Sequence, residues 1–212
     1  MDPTGKRRRS RREARRPQVK PHRSFDPRKV GSLECAAWVA YYRRQWLALL
    51  RASVALTRHT FALPWSSTAY GAWLVLRANQ LWAPFPDNDP NGARRAMERF
   101  YRLVARHHDE RFDPARAAEV EVEWWRVHRE MQNVREELDA RPLVDALAAL
   151  YSYVYAVPER EVRVAAEQRA LAMEHSDRWV DDGRDPTSPL IDEARAALVR
   201  SYAALLAAIH QP

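Results

Sequence analysis

The sequence predicts an all-α fold: about seven helices in an antiparallel bundle or orthogonal helical array, behind a disordered basic N-terminal tail. Three observations lead there. Apolar residues recur at alternating steps of three and four from residue 32 onward, which places them on single helix faces. Prolines preceded by capping residues mark the junctions between these runs. No stretch of four or more residues alternates with β-branched enrichment, and only five glycines are present, so no strand is assigned. A hydrophobic content of 46% over 212 residues fills one core, giving a tail over 1–30 and a single helical domain over 31–212.

The first helix runs from Ser32 to the residue before Pro64, with Cys35, Val39, Tyr42, Trp46, Leu49, Ser53, Leu56 and Thr60 on one face. Ser66 or Ser67 caps the second, which reaches Trp82 before Pro84 and Pro86. Asp89 followed by Pro90 opens a third, carrying Met97, Phe100, Tyr101 and Val104 inward. Asp113 and Pro114 repeat the device for the fourth, where Ala117, Val120, Trp124, Val127, Met131, Val134 and Leu138 keep a narrow stripe for three heptads. Pro142 starts a fifth, Pro158 a sixth ending at Gly183, and Ser188 with Pro189 the last.

Residues 1–30 carry twelve basic side chains against Asp2, Glu13 and Asp26, a net of +9, whereas the remaining residues sum to −2. The high pI therefore belongs to the tail. With almost no large apolar residue before Phe25, the tail cannot offset its own ordering entropy. Arg7, Arg8, Arg9, Arg11, Arg12, Arg15 and Arg16 are the residues expected to contact nucleic acid, through phosphates and without sequence preference. Beyond Lys29 every basic residue is Arg and Ala is abundant, the composition of a G+C-rich bacterial genome.

Cys35 has no partner for an internal disulfide, and no CxxC pair occurs. No apolar stretch follows the charged start as a secretory or twin-arginine signal requires, and Arg51, Arg58 and Arg77 interrupt the best membrane-spanning candidates. A cytoplasmic protein without a membrane span is expected. Phosphate-cradling P-loop and GxGxxG motifs are absent, as are GxSxG and HExxH, which removes the commonest nucleotide-dependent, serine-hydrolase and zinc-protease readings.

Two ligand constellations remain. Asp87, Asp89, Asn91, Gly92 and Glu98 satisfy the spacing of a calcium loop and resemble an EF-hand. Arg94 stands where that family places an apolar residue, no second loop is present, and the same letters read as Asp89 capping a helix. Glu121 and His128 lie on one line of the fourth helix and offer a transition metal a carboxylate and an imidazole, without the Glu-x-x-His pairs of di-metal bundles. No cofactor is predicted from either; calcium and a transition metal stay as alternatives. Because a narrow stripe cannot bury two adjacent tryptophans, Trp125 is expected on a partner surface.

Three function classes stay open. The first is a non-catalytic helical interaction or regulatory protein that meets a protein partner, or a second copy, through Trp125. The second is a nucleic-acid-associated protein acting through the Arg-rich tail. The third is a bundle enzyme or sensor holding a metal or hydrophobic ligand. No residue is assigned a catalytic role.

Overall fold

The computed structural model describes residues 20–133 and 139–210. Among them, a 3-10 turn at Pro21–Arg23 precedes α1 (Pro27–Tyr42), α2 (Trp46–Phe61), α3 (Trp65–Trp82), α4 (Pro90–His108), α5 (Pro114–Asn133), α6 (Arg141–Tyr155), α7 (Glu159–Asp181) and α8 (Pro189–His210). The tail arginines Arg7 to Arg16, and Val134 and Leu138 of the long stripe, lie outside the described residues. The fold is all-α, and among the described residues no helix is long and apolar enough to cross a membrane.

Most boundaries follow from caps. Asp26 precedes Pro27 and accepts from the Arg28 amide at 2.9 Å, and Asp89 precedes Pro90 and accepts from the Gly92 amide at 2.7 Å. Helices α2, α4 and α6 end on Ala62, Asp109 and Ala156 in the left-handed region. Helix α3 starts at Trp65, directly after Pro64, so neither Ser66 nor Ser67 caps it; the Ser67 hydroxyl instead meets His107 Nε2 at 2.7 Å.

The expected single helix over 32–63 is two. Arg44 takes a left-handed φ of 56°, the Gln45 amide donates to Ala40 O at 2.8 Å and the Arg44 amide to Tyr41 O at 3.0 Å. These bonds close α1 in a Schellman motif without a glycine. The apolar rhythm does not survive the break intact: Leu49 and Ser53 are buried as expected, whereas Trp46, expected on the same face, turns outward and is 54% exposed.

Each helix packs against its neighbours in the chain, and α8 returns to α1, so the eight helices close into a ring. The closing seam is tight. A Cβ at Gly31 would sit 2.8 Å from Val199 N and 2.9 Å from its Cα, backbone atoms that cannot give way. Small residues let α7 approach as closely, with Ala165, Ala166 and Ala172 fully buried.

Residues 20–30, expected to belong to the tail, pack against the helices. Phe25 is buried and meets the Tyr202 ring edge-to-face at 5.7 Å, and Val30 is fully buried. Lys20, His22 and Arg23 converge on Glu110, at 3.1, 2.9 and 3.3 Å. Arg23 also donates to Tyr155 O at 3.0 Å, and His210 meets Arg23 O at 2.7 Å. One aromatic ring and a set of charged contacts hold this segment, which an apolar-periodicity argument does not register.

His22 is buried and its ring lies tilted against that of His108, centroids 4.2 Å apart, and nothing among the described residues bonds its Nδ1. A neutral ring that donates from Nε2 to Glu110 satisfies this geometry. Protonation would place an unpaired N–H in the interior. Burial, reinforced by His108, lowers its pKa from 6.5 to about 4, although Glu110 pulls the other way. Burial also works against the Glu110 carboxylate, but Arg23 and Lys20 outweigh it and hold it below the ordinary carboxylate range. Between these two His22 values the unfolded chain binds the extra proton, so stability is full above about pH 6.5 and falls as the pH drops towards 4. Urea unfolding across that window is expected to show this loss, and His22→Asn to flatten it; an equal slope in the variant would contradict the assignment.

Candidate functional site

The ring of helices encloses a cavity of about 310 Å³ with residues from all eight helices on its wall. That size is at the lower end of small-molecule sites. Its sides are apolar and aromatic: Trp38, Leu49, Leu56, Trp82, Phe100, Trp124, Trp125 and Met173 are among the residues that shape it.

A charged centre stands in this apolar wall. Arg169, carried inward by α7, pairs with Glu34 of α1 and donates from Nη1 to the Tyr151 hydroxyl at 3.2 Å. The Tyr202 hydroxyl of α8 donates to the other Glu34 oxygen at 2.6 Å. The Arg169 guanidinium lies 5.3 Å from the Trp124 ring centroid. Burial opposes its charge, but Glu34 outweighs burial and holds the guanidinium firmly protonated.

A second carboxyl faces the same space. Glu121 of α5 accepts from the Tyr101 hydroxyl at 2.7 Å and from Trp125 Nε1 at 3.2 Å. Burial raises its pKa in spite of these donors and of Arg169. The centre therefore combines a neutralised ion pair with a carboxyl shifted towards its uncharged form. Two buried donors of residues on the cavity wall find no partner among the described residues, Arg169 Nε and Thr60 Oγ1, and Trp124 Nε1 lies near Glu121 without making a full hydrogen bond to it. Buried donors are rarely left so, and each costs about 1–3 kcal/mol when unpaired.

The structure brings Glu121 and Trp125 together and takes both into the interior. Trp125 is 8% exposed, which corrects its expected place on a surface. Helix α5 packs between α4 and α6 while also walling the cavity, so its buried arc is wider than a two-position stripe and takes in both tryptophans. His128 also reaches the cavity wall, but its Nε2 meets Asp177 Oδ2 at 2.8 Å, and Gln132 donates to the other oxygen at 2.7 Å. His128 and Glu121 are thus engaged by different partners.

The calcium-like residues are dispersed in the same way. Asp89 caps α4 and lies 3.8 Å from Arg95, Asn91 is exposed in the first turn, and Glu98 pairs with Arg102. Asp87 is exposed in the preceding loop. Among the described residues no three His, Cys, Asp or Glu are grouped as a metal site.

Sequence reasoning placed Tyr101 and Tyr202 inward only as core residues and missed Glu34, Arg169 and Tyr151. A signal existed for the charged pair: Glu34 stands on the apolar face of α1 beside Cys35 and Trp38, and Arg169 lies within the run from Ala165 to Met173. No family model, curated protein or solved structure matches the chain.

Removing one partner of a buried pair strands the other charge, whereas an apolar replacement of both does not. Glu34→Leu is expected to destabilise the protein by about 3–5 kcal/mol. Adding Arg169→Met is expected to restore most of that loss, read by urea denaturation. Additive losses in the double variant would show that the two side chains act separately.

Proposed function

We propose that the protein binds a small, uncharged, mostly apolar molecule in the central cavity, through a carbonyl or similar acceptor directed at Arg169 and Trp124. The observation that carries this reading is the coincidence of an aromatic cavity with buried donors that have no partner among the described residues. Apolar walls supply affinity without direction, and the donors supply orientation. An uncharged ligand is favoured because Glu34 already balances Arg169, and a carboxylate would meet both Glu34 and Glu121. This is the hydrophobic-ligand form of a bundle sensor or enzyme. The reading of an interaction protein acting through Trp125 loses its basis, since the ring is interior.

Benzophenone and diphenylmethane test it, because they share a shape and differ in one carbonyl. Benzophenone is expected to raise the melting temperature in a saturable way, with an affinity about tenfold or more above that of diphenylmethane. Ser53→Phe, which projects a ring from the α2 wall into the cavity, is expected to abolish both shifts while the far-ultraviolet dichroism stays helical. Equal affinity for the two probes would remove the acceptor from the proposal. Shifts that persist in Ser53→Phe would place binding outside the cavity.

A further inference from the structure

We propose that the outer face of the α2–α3 hairpin docks on an anionic membrane surface. Of the eight large hydrophobic side chains that stand exposed among the described residues, seven lie between residues 46 and 85, with Val164 the exception. Trp46, Leu47 and Leu50 project from the first turns of α2, 39–61% exposed. Trp65, Tyr70 and Trp73 project from α3, 46–66% exposed, and Phe85 follows in the next loop. Scattered exposed apolar residues are ordinary, but such a concentration on one hairpin marks an interaction surface.

The charge around this patch is predominantly positive. From residue 35 to residue 86 the chain contains no Asp or Glu, and it carries Arg43, Arg44, Arg51, Arg58 and Arg77. The loop after Phe85 adds Asp87 and Asp89, and helix α4, which packs against α3, adds five more arginines against Glu98. From residue 109 onward the balance reverses, with thirteen arginines against twenty-one carboxylates. The near-neutral total of the folded body thus hides a basic half and an acidic half. That asymmetry orients the hairpin towards a negative surface and turns the acidic helices away.

Charge and side-chain type together select the occupant. A second copy of the same face would bring like charges together, so self-association through the hairpin is disfavoured. Tryptophan and tyrosine settle at the headgroup level of bilayers, and arginines interspersed with them add attraction to anionic lipid. Arg58 already stacks over the Trp65 ring at 4.2 Å, and Tyr70 stacks with Trp73 at 5.9 Å, holding aromatic faces and a cation together at the surface. The face is also close to the cavity. Leu49, Ser53, Thr57 and Thr60 on the inner side of α2 line it, so one helix separates the docking surface from the interior. The assignment of the surface is independent of what the cavity binds.

Co-sedimentation of the full chain with vesicles of phosphatidylcholine, alone or mixed with phosphatidylglycerol, tests the proposal. Binding is expected to the mixed vesicles, with weakening by added salt and a blue shift of tryptophan emission. The exposed-residue variants Leu47→Ser/Leu50→Ser/Trp73→Ser and Arg51→Glu/Arg77→Glu should each bind about tenfold or more weakly. Unchanged helicity in the unbound variants keeps a folding defect from counting as support. Equal binding by wild type and variants would assign the attraction to the basic N-terminal residues and overturn the hairpin. So would indifference to phosphatidylglycerol, or a wild-type dimer in sedimentation velocity that the triple-Ser variant loses.

Discussion

The ring closes only where the two ends of the folded chain meet, and that seam governs the rest of the structure. Gly31 lets α1 lie against the backbone of α8 at Val199. One turn later, on the same helix, Glu34 reaches both Tyr202 of α8 and Arg169 of α7. Tyr151 brings α6 into the same network. Four helices are thereby tied by two tyrosines around one carboxylate and one guanidinium. Buried ion pairs contribute little net stability against apolar alternatives, but they penalise every arrangement that leaves one charge alone. The seam is thus a device for register, with the apolar faces supplying most of the stabilisation.

The cavity is a consequence of the same geometry. Eight helices in a ring cannot all bring their side chains to a common axis. The space left is walled by whichever residues face inward, here mostly aromatic. A dry polar centre in such a space is costly unless its donors are met. Glu34, Tyr151 and Tyr202 meet most of those of Arg169, and Tyr101 and Trp125 serve Glu121. Arg169 Nε, Trp124 Nε1 and Thr60 Oγ1, the donors left over, belong to residues that line the cavity. Helix α2 takes part on both sides, with a wall of Ser, Thr and Leu inside and a Trp- and Leu-bearing face outside.

Much of the architecture was legible because it is local. Asp89 and the junction prolines act within a few residues, and the inward positions of α4, α6 and α8 repeat at helical spacing, so caps and periodicity place them without tertiary knowledge. The break at Arg44 was hidden because it carries neither Gly nor Pro, and the outward turn of Trp46 was hidden with it. Docking of residues 20–30 was hidden because Glu110, the anchor, is remote in sequence. The site was the least legible part. Glu34 and Arg169 are separated by 135 positions, and nothing local marks them as partners. Trp125 was misplaced by treating α5 as a two-position stripe, when a helix that packs on two neighbours and also faces a central space buries a wider arc. The pairing of Glu121 with Trp125 at i and i+4 was readable, but its direction inward was not.

Native mass spectrometry of the full chain purified from the cells that make it tests the central claim most directly, that the ring is built to hold a small molecule around Arg169 and Glu34. The account predicts a small-molecule adduct that survives gentle ionisation, is released on unfolding, and is absent from Arg169→Met/Glu34→Leu protein that remains folded. A bare chain mass from wild type under the same conditions, or an adduct that persists unchanged in the folded double variant, would contradict it.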